Sequence, residues 1–71
     1  MSKTLEELGY EKRENDYYTV FQNGGEQIAF NKDCKEISCE MFTPNGEFTV
    51  KPFNVQELKA IYKQCEDLGW I

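Results

Sequence analysis

The stretch that most constrains the fold of this chain is FNVQELKAIYKQCEDLGWI, Phe53 to Ile71, which carries start, body and stop signals for one amphipathic helix. Asn54 is a preferred N-cap residue, and Glu57 stands three positions on, where a capping box places its carboxylate. Phe53 and Leu58 occupy the N′ and N4 positions of a hydrophobic staple, so the helix is expected to begin at Val55. Val55, Leu58, Ile61, Tyr62, Cys65 and Leu68 recur at spacings of three and four and predict one buried stripe. Gly69 is the expected left-handed stop residue, with Trp70 folding back onto Cys65.

Upstream the hydrophobic period changes from helical to two, and four short strands are predicted around Tyr17–Phe21, Ile28–Phe30, Ile37–Met41 and Phe48–Val50. Asn23-Gly24 suits a type I′ hairpin turn, Pro44-Asn45-Gly46 a hairpin with a left-handed glycine, and Lys32 to Lys35 a polar turn of the right length. The predicted architecture is α+β over a single domain, residues 1–71. A short N-terminal helical turn capped by Thr4 and Glu7 precedes a four-stranded antiparallel meander, and the C-terminal helix packs on one face. Glu11 to Asp16 has no apolar face and reads as a solvated connector.

The inward set is expected to be Tyr18, Val20, Ile28, Phe30, Ile37, Cys39, Met41, Phe48 and Val50. Glu26, Glu36, Ser38, Glu40, Glu47, Thr49 and Lys51 are then outward. That register points Tyr17, Phe21 and Phe42 away from the helix, as an aromatic face suited to an interface. Two alternatives stay open: Leu5, Leu8 and Tyr10 fold across that face, or the first strand is shifted by one residue.

Thirteen acidic against eight basic residues, net −5 with no histidine, oppose direct nucleic-acid binding, which needs clustered Lys and Arg. No apolar run approaches the ~20 residues that cross a bilayer, and the N-terminus has no apolar leader core, so a soluble cytoplasmic protein without membrane association is expected. Cys34, Cys39 and Cys65 are an odd number, and reduced thiols are expected. They lack the fourth Cys or His of a structural zinc site, so no metal and no cofactor are expected. Cys34 has no histidine to serve as its base, and the acidic pairs have no desolvated cleft to divide their roles. No catalytic residue is assigned, and an enzyme is not expected.

Glu57-Leu58-Lys59-Ala60-Ile61 through Asp67-Leu68-Gly69-Trp70-Ile71, after Ile28-Ala29-Phe30 in a strand, resembles a group of small prophage-encoded proteins of Gram-positive bacteria. These carry an I-x-F strand and end in ELKAI…K…ELGW; here Asp67 stands where Glu is commoner. The resemblance implies a bacterial cytoplasm and a mobile-element context, and assigns no site residue. The function expected is a non-catalytic protein-interaction module of phage or prophage origin, binding a protein partner or itself. The alternatives are an acidic mimic of nucleic acid that inhibits a host protein, and a structural homodimer.

Overall fold

A computed structural model describes residues 3–71; Met1 and Ser2, the start of the expected domain, lie outside the described residues. Five strands and one helix follow in chain order: β1 (Glu11–Glu14), β2 (Tyr18–Asn23), β3 (Glu26–Asn31), β4 (Glu36–Phe42), β5 (Phe48–Val50) and α1 (Val55–Asp67). The strands form one antiparallel meander in the order β1-β2-β3-β4-β5, with α1 across one face.

The helix ends follow the local chemistry. Asn54 accepts from the Glu57 N–H at 2.9 Å while Glu57 accepts from the Asn54 N–H at 3.1 Å, a complete capping box. At the other end the Trp70 N–H donates to the Cys65 carbonyl at 2.9 Å and the Gly69 N–H to that of Glu66 at 3.0 Å, with Gly69 at φ +77°. These are the paired bonds of a Schellman stop. The β2–β3 hairpin also forms, but its two central residues are Gly24 and Gly25, and only Gly24 has positive φ, +60°. That is the torsion pattern of a type II′ turn, and the expected type I′ turn at Asn23-Gly24 is corrected.

The expected N-terminal helical turn is not present as a helix. Thr4 and Glu7 exchange the two bonds of a capping box, yet residues 5–9 form successive turns that Gly9 ends at φ +104°. A segment that short fixes backbone torsions for too few hydrogen bonds to propagate a helix. The expected four strands become five because the connector Glu11–Glu14 pairs with β2, Lys12 opposite Phe21 and Glu14 opposite Thr19. Asn15 turns the chain: its Oδ1 accepts from the N–H groups of Tyr17 and Tyr18, both at 2.8 Å. An edge strand is held by its neighbour's backbone and needs no apolar period of its own, so alternation does not reveal it.

Residues directly opposite in an antiparallel pair share a face. Phe21 pairs with Ile28 and Thr19 with Phe30, so Thr19 and Phe21 lie on the helix side, and Tyr18 and Val20 go to the outer face beside Asn31 and Ala29. The register alternative holds for β2: Phe21 is 1% exposed and stacks edge-to-face on Phe30 at 5.7 Å. A shift of one residue exchanges every side chain between faces, and an aromatic–aromatic pair beneath the helix favours this choice over Val20 and Tyr18. The N-terminal Leu5 and Tyr10 join the same core as Phe21, Ile28, Phe30, Ala60, Ile61 and Cys65, so they do not cover the outer face.

Two more inward assignments are corrected. Phe48 pairs with Phe42 and Val50 with Glu40, which puts Phe48 and Val50 on the outer face. On α1 the buried residues are Ala60, Ile61 and Cys65, while Val55, Leu58 and Tyr62 of the predicted stripe are exposed. The helix is rolled about its axis so that Glu57, not Leu58, turns toward the interior, and an ion pair described below holds it there.

Candidate interaction surface

The expected interface residues do not come together. Tyr17 is exposed in the bend before β2, Phe21 is core, and Phe42 stands on the outer face at the β4–β5 hairpin. What Phe42 does meet is Phe48, edge-to-face at 5.2 Å. The two rings are 52% and 57% exposed and Val50 beside them 81% exposed, so this corner is apolar and open. A depression of about 260 Å³ runs from the two rings to Gly24, Gly25 and Gln27. The centre of the outer face is small and polar, with Ala29, Ser38, Gln22, Gln27 and Glu40 between this corner and Tyr18.

The corner lies on a sheet edge. β5 ends the strand order, so one side of Phe48–Val50 presents unpaired backbone groups. The opposite edge, β1, is Glu-Lys-Arg-Glu and exposed throughout, the charged form that blocks strand addition. β5, Phe-Thr-Val, carries no charge. Its apolar residues were legible in the sequence, but their outward direction was not, since nothing local separates a strand's two faces.

A second site was missed altogether. Lys51, expected outward, is 3% exposed. Its Nζ donates to Glu57 Oε2 at 2.9 Å and to the Pro52 carbonyl at 3.0 Å, and the Tyr10 hydroxyl donates to the same carboxylate oxygen. Burial opposes the charges on Lys51 and Glu57, but their mutual hydrogen bond and those involving Tyr10 outweigh it. The Glu57 carboxyl is held below its usual range and the Lys51 ammonium above. Burial, then the neighbouring carboxylate, pushes the Tyr10 phenol up to about 12. The cluster floors a groove of about 600 Å³ shared with Leu8, Asn23, Glu26, Phe53 and Gln56.

All polar atoms of this cluster are partnered, so it ties the N-terminal segment, the end of β5 and the first turn of α1 together. The alternation beyond Val50 held the clue: with Val50 outward, the next residue turns inward, three positions ahead of the N-cap.

Cys34 is exposed, and its thiol donates to Glu36 Oε1 at 2.9 Å. That carboxylate raises the thiol's pKa, the opposite of what activates a nucleophile. Burial raises Cys39 and Cys65 likewise. Among the described residues no three His, Cys, Asp or Glu side chains gather as a metal site, and no helix is long and apolar enough to cross a membrane. Compared with protein families, with curated proteins and with solved structures, the chain matches none.

Proposed function

We propose that the chain is a small non-catalytic protein-interaction module whose working surface is the β4–β5 half of its sheet. The observation that carries this reading is the outer corner, where Phe42, Phe48 and Val50 stay exposed on an edge strand with free backbone groups. Such a corner suits a partner strand, which pairs with the backbone of β5 while its side chains meet the two rings. The work is done by occupying another protein, which fits the phage or prophage origin that the C-terminal resemblance implies.

The test is immobilised protein offered to a Gram-positive bacterial lysate, followed by purification of the captured protein and titration against it. Phe42→Ser and Phe48→Ser are expected to weaken the purified complex by at least tenfold, as loss of an aromatic anchor does, with circular dichroism unchanged. A chain that captures nothing reproducible, or a complex indifferent to both substitutions, removes the proposal.

A further inference from the structure

We propose that the occupant of the β5 edge is an extended segment of the partner with the order basic, any residue, apolar, paired antiparallel with Phe48 and Val50; this deepens the interaction-module reading and rests on it. The backbone fixes which groups the edge offers. The Lys51 N–H donates to the Cys39 carbonyl at 3.0 Å and the Thr43 N–H to that of Glu47 at 2.7 Å, so residues 47 and 51 aim their backbone groups at β4. Groups alternate in direction along a strand, so those of Phe48 and Val50 point away from β4, to the open edge. Pro52, the next residue on that side, has no N–H, and its carbonyl already accepts from the Lys51 ammonium at 3.0 Å. The edge therefore takes a short strand, held at Phe48 and Val50.

Residues directly opposite in an antiparallel pair share a face, so the partner side chains opposite Phe48 and Val50 come up on the outer face. They enter two rows of the sheet that differ in chemistry. One row runs Phe42, Phe48 and the other Gln27, Glu40, Val50. A side chain joining the first row meets two exposed rings, which suits an apolar residue. One joining the second meets Val50 and, beyond it, the Glu40 carboxylate on a strand two spacings away, ~9.6 Å. The stem of a Lys or Arg can lie over Val50 and bring its cation to that carboxylate.

The charge on this same face selects such a cation. From β2 to β5 the outer face carries Glu36 and Glu40 and no Lys or Arg. Glu40 is half-buried and takes part in none of the ion pairs among the described residues, while Arg13, on the far edge strand, stands beside Glu11 at 3.9 Å. A basic residue complements this row. A second copy of β5 does not: its Phe48 would stand opposite Val50, offering Glu40 no cation, between two chains of net −5. Antiparallel pairing is the more stable per residue and is the pairing of every strand here. The residue opposite Val50 then precedes the one opposite Phe48, which puts the basic residue first.

The probe is a displayed library of random peptides of ~6 residues, offered to the immobilised full chain. Enrichment of Lys or Arg two positions before an aromatic or large aliphatic residue is expected. Glu40→Gln should weaken the leading peptide by about fivefold or more, and Glu40→Lys should turn the preference at the first position to Asp or Glu. Val50→Pro removes an outward N–H without touching a bond to β4, and should weaken the peptide by about tenfold. Val50→Thr, which keeps that N–H, should bind like the parent chain. Urea midpoints should stay near the parent's; should Val50→Pro unfold the chain, the two Glu40 variants decide. The proposal is overturned if nothing is enriched, if the enriched order is apolar first, if the leading peptide ignores Glu40→Gln or a folded Val50→Pro, or if the chain sediments as a dimer that Val50→Pro dissociates. If no peptide is enriched while capture of a protein partner persists and depends on Phe42 and Phe48, the strand falls and the module stands; if capture fails too, both fall.

Discussion

The two halves of this sheet are built from similar amounts of apolar sequence and end in opposite states. In β2 and β3, Thr19, Phe21, Ile28, Ala29 and Phe30 are buried, whereas no residue of β4 or β5 is, although those strands contain Ile37, Met41, Phe42, Phe48 and Val50. The difference is made by what lies above. α1, Leu5, Tyr10 and Trp70 converge on Phe21, Ile28 and Phe30, and of β4 the same cluster takes in Cys39, which stays half-buried. In a chain of this size apolar surface exceeds what one helix can cover, and the excess collects on one side.

The sharpest way to break the comparison is to remove one large side chain from each half. Phe30→Ala should cost about 3–5 kcal/mol, because it empties a site enclosed by Phe21, Trp70 and the helix. Against a total of roughly 4–10 kcal/mol expected for 71 residues, that loss threatens the fold, and urea titration at low temperature should show it.

Next in size is the seam between the halves. Lys51 takes its backbone bond from β4, through the Cys39 carbonyl at 3.0 Å, and gives its side chain to α1 through Glu57. Lys51→Ala leaves a carboxylate with little solvent and should cost about 3 kcal/mol. The same cluster sets a pH dependence. Glu57 is held below its unfolded value, so its contribution is complete above about pH 4.3 and is lost as pH falls through its folded value. Tyr10 and Lys51 are raised, so theirs are complete below about pH 10 and are lost as pH climbs toward about 12 for Tyr10. Glu57→Gln should flatten the acid limb of unfolding free energy against pH; an unchanged limb would mean that other carboxylates control it.

Gly69→Val is smaller, about 1–2 kcal/mol, because a β-branched residue resists the left-handed backbone. A Cβ there meets nothing within 4 Å, so the cost is torsional and Gly69→Asn should recover most of it. The smallest effect belongs to the uncovered half. Phe42→Ser should change the unfolding free energy read from urea titration by less than about 1 kcal/mol, since the ring is half exposed and loses one edge-to-face partner. A Phe42→Ser protein that unfolds as readily as Phe30→Ala would show that the two halves share one core.

The sequence by itself determined what depends on neighbours a few residues apart. The capping box at Asn54 and Glu57, the stop at Gly69 and Trp70, and the hairpins at Gly24 and Gly46 are closed by bonds within a few positions, so residue type at fixed spacing specifies them. The candidate surface was legible only in Phe42, whose outward direction follows from alternation within β4. Tertiary structure alone decided the rest. Tyr18 with Val20 and Thr19 with Phe21 are near-equal claims to the inner face, and only pairing against Ile28 and Phe30 beneath a helix chooses between them. β1 has no apolar pattern and exists because β2 offered an edge. Lys51 is buried because Glu57 and Tyr10 meet it there, from positions six and forty-one residues away. A charge leaves water only where distant partners replace its solvation, and no local pattern records where those partners will be.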